Sequence, residues 1–235
     1  MKTIKGLLAA SAVAAAMSIA AGAQAATITG LYNTGVDNSG AAVAGNGADL
    51  HWTLNGGAAY TGGTNGSFPL GPWVADSADS RWLTPTPNAA DSFDPSANGY
   101  YTYATTFSLT AGQAAGAAFT GRYAVDNQAA DILLNGHSLG SGGWFTYWSN
   151  FSAGSSDFVA GTNTLQFVVE NWAQNGGNPS GLDVQFLSSI EGAELDVSGG
   201  TGAVPEPATW ALMMGGVGMV GATLRRQART RAATA

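Results

Sequence analysis

Between Tyr100 and Leu109 the chain alternates. Tyr101, Tyr103, Thr105, Phe107 and Leu109 fall on one parity, and Thr102, Ala104, Thr106 and Ser108 on the other. A period of two puts the bulky set on one face of an extended strand and the small, polar set on the opposite face, the pattern of a half-buried β-strand. The same period returns at Leu165, Phe167 and Val169, with Gln166, Val168 and Glu170 opposite. No stretch between them carries a helical period. The composition agrees: 34 glycines, 10% charged residues and abundant Thr, Ser and Asn suit short strands joined by many turns.

Taken in order, residues 27–36 read as a first strand followed by a turn, and 37–49 as a loop. Residues 51–54 read as a strand and 55–66 as a Gly/Thr/Asn-rich surface loop. Trp73 and Trp82 lie close to prolines, and 84–99 is again a loop. After the strand that begins at Tyr100 comes a second at 117–125. Asp126 and Asn127 then turn the chain into a third at 130–134. Asn135-Gly136 is a strong signal for a type I′ hairpin. Residues 144–151 are aromatic-rich, and Asn163 closes a turn at 160–163. A loop at 173–180 precedes a last strand at 181–187. Short strands at even spacing predict an all-β fold, an antiparallel β-sandwich of jelly-roll type over 26–188, followed by a polar linker at 189–203. The run of Asp126, Asn127, Asp131, Asn135-Gly136, Gly161-Thr-Asn163-Thr-Leu165, Asn171 and Gly181 resembles the galactose-binding-like jelly roll. That resemblance covers roughly residues 100–187. It implies the fold more than any ligand.

The two ends read differently from this body. Lys2 and Lys5 precede a small-residue apolar core at 6–20, and Ala23-Gln-Ala25 supplies an A-x-A cleavage site with Ala26 as first mature residue. This is a secretory signal peptide, 1–25, and implies passage through the Sec translocon. At the other end, Val204-Pro205-Glu206-Pro207 is followed by an uncharged run over 208–224 and then by Arg225, Arg226, Arg229 and Arg231. The two prolines keep helix from starting before Ala208. The apolar run is about 17 residues, just long enough for a single transmembrane helix, and the arginines suit its cytoplasmic flank. Together with Trp210 and Ala211, the segment 204–235 resembles the PEP-CTERM sorting signal of Gram-negative bacteria, also known as the ice-binding protein C-terminal domain. The resemblance implies a transient inner-membrane anchor, recognition by an exosortase with cleavage near Pro205-Glu206-Pro207, and release to the cell surface or the exterior.

Setting both ends aside changes the charge. Residues 26–203 hold fourteen acidic residues against Arg81 and Arg122, a net of about −12. Such a body repels nucleic acid and anionic lipid. It has no cysteine, and at about 178 residues it is large enough to fold on a hydrophobic core alone. Catalytic signals are sparse. His51 and His137 are 86 positions apart, so a zinc site would need both plus carboxylates such as Asp49. Ser, His and Asp can be assembled from any serine-rich chain, and no Gly-x-Ser-x-Gly elbow is expected. A glycosidase pair has only Glu170, Glu191 and Glu194 and the aspartates to draw on. The expectation is a non-catalytic surface or matrix protein with no cofactor and no metal, a loop-held structural Ca2+ being the one ion left open. The alternatives are a lectin-like carbohydrate-binding module and a secreted hydrolase. For the lectin reading the candidate sugar-stacking side chains are Trp144, Tyr147 and Trp148, past a Gly-rich turn, with extracellular polysaccharide as partner. The competing reading has the tryptophans filling the core or stapling loops to it. Asp126, Asn127, Asn135, Gly136 and Asn163 are read as structural turn residues.

Overall fold

Ten strands follow one another along the chain: β1 (Ala48–Leu54), β2 (Gly57–Thr61), β3 (Leu83–Thr84), β4 (Gly99–Leu109), β5 (Ala118–Asp126), β6 (Gln128–Leu134), β7 (His137–Gly142), β8 (Ser149–Ala153), β9 (Gly161–Asn171) and β10 (Gly181–Ile190). This is a computed structural model, and it describes residues 27–62 and 71–192. A five-residue helix, α1 (Ala111–Ala115), sits between β4 and β5, and a 3-10 turn, Ser155–Asp157, before β9. The expected signal peptide, membrane helix and most of the linker lie outside the described residues. Among the described residues no helix is long and apolar enough to cross a membrane.

All pairings are antiparallel, and they run without a break in the order β7-β6-β9-β4-β1-β2-β3-β10-β5-β8. The all-β antiparallel expectation is therefore met, but not as two separate sheets. One ten-stranded sheet curls on itself, and its end strands β7 and β8 are consecutive in the chain and approach each other, so that the sheet nearly closes into a barrel. The longest ladder joins the two alternating strands, β4 and β9, in register from Gly99↔Asn171 to Leu109↔Gly161. Their bulky parity turns inward: Tyr103, Phe107, Leu109, Leu165, Phe167 and Val169 are all buried. They meet the inner face of β5, β8 and β10, with Phe167 5.4 Å from Tyr123 and 5.2 Å from Phe151 between ring centres.

Four expectations need correction. Residues 27–36 form no strand, because Gly30 and Gly35 take positive φ (86° and 65°) and break the extended run. The segment still lies along β10, held by side chains that imitate a ladder. Asn33 Oδ1 accepts from Phe186 N (2.7 Å), and Thr34 Oγ1 accepts from Val184 N (3.0 Å). Residues 55–66 are not one loop, since Asn55 and Gly56 (φ 48° and 76°) make a hairpin turn into β2. These signs match Asn135-Gly136 (53° and 83°) between β6 and β7, the type I′ geometry. Asn127 does not close a hairpin: β5 pairs with β10 and β8, whereas β6 pairs with β9 and β7, so the chain crosses there from one part of the sheet to another. Finally, β10 continues through Ser188 and Ser189 to Ile190, past the expected end of the last strand at 187. Gln113 ties off its end, accepting from Gly192 N on its carbonyl (2.8 Å) and donating to Glu191 Oε1 from Nε2 (3.0 Å).

Candidate functional site

The strand pair β5–β10 has two faces that carry different chemistry. Tyr123, Val125, Leu182 and Val184 point into the main core. The opposite parity reads Arg122, Ala124 and Asp126 on β5 against Gln185, Asp183 and Gly181 on β10, paired in that order. An outer sheet face with this composition would be expected in water. Instead, residues 72–82 run across it as a strap and form a second apolar cluster, in which Trp73 and Trp82 pack with Ala89 and Ala124. Their ring centres are 4.0 Å apart. Trp82 is anchored by its indole N–H to Val74 O (2.8 Å). Gly181 lies beneath the Trp73 ring, and a Cβ there would come within 2.7 Å of it.

Beneath the strap the polar row is buried. Gln185 Nε2 donates to Ser77 Oγ (2.7 Å) and Ser80 Oγ (2.6 Å), while its Oε1 accepts from Arg122 Nε (2.8 Å). Thr34 Oγ1 donates to Asp183 Oδ1 (3.2 Å). Burial pushes the Asp183 carboxyl up to about 7, opposed by the Ser80 hydroxyl and reinforced by nearby Asp76. Burial likewise raises Asp126 to about 7, against the indole N–H that Trp73 donates to it.

Asp126 differs from Asp183 in having an opening beside it. A cleft of about 190 Å3 is lined by Pro72, Trp73, Asp126, Asn127, Phe145, Gln174, Asn178 and Pro179. Two of the lining residues also carry an oxygen closed off from solvent, Asp126 Oδ1 and Asn178 Oδ1, each without a hydrogen-bond partner among the described residues. The Asn178 amide orientation is fixed by its neighbour, because its Nδ2 faces the carbonyl of Trp172 (2.6 Å), which can only accept. Aromatic rings continue outward from the cleft. Trp144 is 4.8 Å from Phe145 and 5.1 Å from Trp172, and Trp172, 40% exposed, has its backbone N–H held by Asn127 Oδ1 (2.7 Å).

The three aromatic candidates separate. Trp144 and Tyr147 bridge to each other across a tight turn, Trp144 half-buried beside Phe145 and Trp172 and Tyr147 exposed. Trp148 packs against the second apolar cluster, with the Arg122 guanidinium 4.5 Å from its ring centre. Among the turn residues, Asn135 Oδ1 accepts from Thr164 N (3.0 Å) and its Nδ2 reaches Asn163 Oδ1 (2.8 Å). Asn163, fully buried, donates to Val159 O and Gly161 O. Asp126 holds no turn through its carboxylate, which faces Trp73. Trp73 is among the tryptophans open to either a stacking or a core role, whereas Phe145, Asn178 and Gly181 carry no sequence signal that singles them out. Two local signals were available: an acidic residue ending the run Tyr123-Ala-Val-Asp126, and a glycine opening a strand that alternates apolar Leu182, Val184 and Phe186 with polar Asp183 and Gln185.

The remaining titratable groups are engaged elsewhere. His51 stacks on Tyr32 (3.7 Å between rings, 10° between planes), and Asp49 accepts from His51 N and Trp52 N to hold an irregularity in β1. Glu170 accepts from Asn98, Tyr100 and Gln128, which hold its carboxyl below the ordinary range. The expectation of no Gly-x-Ser-x-Gly spacing needs correction, because Gly136-His137-Ser138-Leu139-Gly140 has it. Here it runs from the hairpin turn into the end strand β7, with no helix after it, and Ser138 Oγ donates directly to Asp131 Oδ1 (2.6 Å). Among the described residues no three His, Asp or Glu side chains converge on a point that would hold a metal ion.

Residues 203–227 match the family model described as the PEP-CTERM protein-sorting motif. No curated protein and no solved structure matches the chain. The C-terminal segment therefore carries a PEP-CTERM protein-sorting motif, which implies a protein exported to the cell surface or beyond and processed by an exosortase.

Proposed function

We propose that this chain is a non-catalytic surface or matrix protein of a Gram-negative bacterium. In this reading it passes the Sec translocon, is held briefly in the inner membrane by the apolar run at 208–224, and is cut by an exosortase near Pro205-Glu206-Pro207. The body is a jelly roll of galactose-binding-like kind that meets extracellular polysaccharide. The observation that carries the reading is the sorting motif at 203–227, with the arginine flank that follows its apolar run. The non-catalytic part rests on placement. His51 and His137 lie on different strands, β1 and β7, and Glu170 is taken up by three neighbours.

Mass spectrometry of the protein recovered outside the producing cell tests the route. The expected product starts at Ala26 and lacks the residues after Pro207. Replacing Pro205, Glu206 and Pro207 with alanine should leave the protein in the membrane fraction with its C-terminus intact. Released protein carrying an uncut tail through Ala235 would refute processing.

A further inference from the structure

Six asparagines precede a glycine in this chain: Asn46, Asn55, Asn65, Asn98, Asn135 and Asn175. Asparagine is a thermolabile side chain, and a following glycine makes it most so, because no Cβ shields the glycine nitrogen. That nitrogen attacks the side-chain amide carbon, Cγ. The new N–Cγ bond closes a five-membered succinimide, the Cγ–Nδ2 bond breaks, and Nδ2 departs as ammonia with the proton of the glycine N–H. Water then opens the ring at either carbonyl and leaves aspartate or isoaspartate. No enzyme or cofactor takes part. A folded chain opposes the reaction in two ways: by hydrogen bonds that hold the side-chain amide, and by one that occupies the glycine N–H.

The two restraints separate the pairs. Asn98 accepts from Ala173 N on Oδ1 (2.9 Å) and donates from Nδ2 to Glu170 Oε1 (2.8 Å). Asn135 is likewise held on both atoms, by Thr164 N (3.0 Å) and Asp157 O (2.9 Å). Asn55 Oδ1 accepts from Thr102 N (2.9 Å). At Asn46 the nucleophile is occupied instead, since Gly47 N donates to Thr61 Oγ1 (3.3 Å). Asn65 lies outside the described residues. Asn175 differs from the rest. Among the described residues neither its side-chain amide nor the N–H of Gly176 has a hydrogen-bond partner, and both residues are exposed at the tip of a turn that Gly177 N closes on Gln174 O (2.6 Å). We propose that Asn175-Gly176 is a site of spontaneous deamidation, Gly176 N attacking Asn175 Cγ, while Asn46, Asn55, Asn98 and Asn135 keep their amides as long as the chain stays folded. The effect of the change is local. The turn lies between two clamps: Gln174 N donates to Asp94 O (3.2 Å), and Asn178 and Phe93 exchange backbone hydrogen bonds (2.8 and 3.0 Å). Aspartate adds one negative charge there. Isoaspartate also adds one atom to the backbone between the clamps, which slackens the Phe93–Asn178 pair and leaves the main core untouched. None of this rests on the sorting route or on what the body meets outside the cell.

The test is to age the folded protein, purified from the producing cells, in mildly alkaline buffer and to follow each Asn-Gly peptide by mass spectrometry, with isoaspartate read by enzymatic methylation. The peptide that holds Asn175 should convert about tenfold or more faster than those of Asn46, Asn55, Asn98 and Asn135, where at least one hydrogen bond must break first. In concentrated urea the five should react at similar rates, which shows that the fold and not the local sequence sets the order. Amide exchange at Phe93 and Asn178 should rise in the aged protein. Asn175→Gln, an exposed change that lengthens the side chain, should keep exchange at both positions at its starting value over the same period. An Asn175 peptide that stays unconverted while the denatured chain reacts, faster conversion at any of the other four in the folded protein, or the same spread of rates in urea would each overturn the proposal.

Discussion

The inner and outer faces of β5–β10 are both sealed from water, yet by opposite means. The inner face is sealed by rings and branched side chains, with Phe167 central to contacts from Trp52, Tyr123 and Phe151. The outer face is sealed by a strap over a polar row, with Asp183 and Gln185 among its buried groups. Apolar burial is nondirectional and tolerates small shifts, whereas buried polar groups are stable only while each partner stays in place. The inner face should therefore set whether the protein folds. The outer face should set how the folded protein responds to its surroundings, and the cleft opens from that side.

The largest effect that would test this division is removal of a ring from each side. Phe167→Ala should cost about 3–5 kcal/mol, the usual range for a fully buried phenylalanine, and lower the global denaturation midpoint with all strands unfolding together. Trp82→Ala removes an equally buried ring, but one that belongs to the strap and packs with Trp73, Ala89 and the outward Ala124 rather than in the main core. Amide exchange should then rise at Val74, Ser80 and Arg81 while β4 and β9 stay protected. Equal loss of protection on β4 and β9 in both variants would show that the strap and the barrel are one cooperative unit.

The same contrast explains what could be read from the residues. The inner face was legible, because β4 and β9 alternate large and small at every step and Asn135-Gly136 announces its own turn. Strand β2 was not, since Gly57, Ala58 and Ala59 offer no bulky parity, and its turn at Asn55-Gly56 was lost in a Gly-rich stretch. Residues 27–36 misled in the other direction: Ile28, Leu31 and Tyr32 look strand-like, but Gly30 and Gly35 break the run and the pairing passes to side chains of Asn33 and Thr34. The site was hidden for a different reason. Asp126 meets Gly181 and Trp73 through pairings that span more than fifty positions, and no local pattern records them. Its carboxylate was read as a turn group because position, not partner, was all that could be seen.

A smaller effect, and one confined to the outer face, is dependence on pH. Asp126 and Asp183 have carboxyls near 7 in the folded chain, against the ordinary carboxylate value when unfolded. Between about pH 4 and pH 7 the folded protein therefore holds more protons than the unfolded chain, and stability falls as pH rises through that window. The stabilising contribution is fully present below the unfolded value and is lost above 7. The two together should move the free energy of unfolding by on the order of 3 kcal/mol, since relaxation takes up part of so large a shift. Chemical denaturation at about pH 5 and about pH 8 measures it. Asp183→Asn should flatten the difference, and a stability that climbs toward pH 8 in the parent protein would place the charged carboxylates in better company than the geometry gives them.

The smallest effects compare two glycines on adjacent strands that face opposite ways. Gly121 on β5 points inward, where an added Cβ would run into the Phe151 ring and sit 2.9 Å from Gln185 O. Gly181 on β10 points outward, where it would sit 2.7 Å from the Trp73 ring and 2.9 Å from Leu83 O. Each alanine substitution should cost about 1–3 kcal/mol by overpacking. The consequences differ because the obstacles differ. Phe151 is locked among Phe119, Tyr123 and Phe167, so Gly121→Ala should strain the barrel and leave the cleft unchanged. Trp73 is held by the strap, so Gly181→Ala should lift its ring, pull its indole N–H from Asp126 and red-shift the tryptophan emission. With that donor gone the Asp126 carboxyl should rise further, and the stability of the Gly181→Ala protein should fall more steeply with pH than that of Gly121→Ala. Identical pH profiles in the two variants would mean that Trp73 does not govern Asp126.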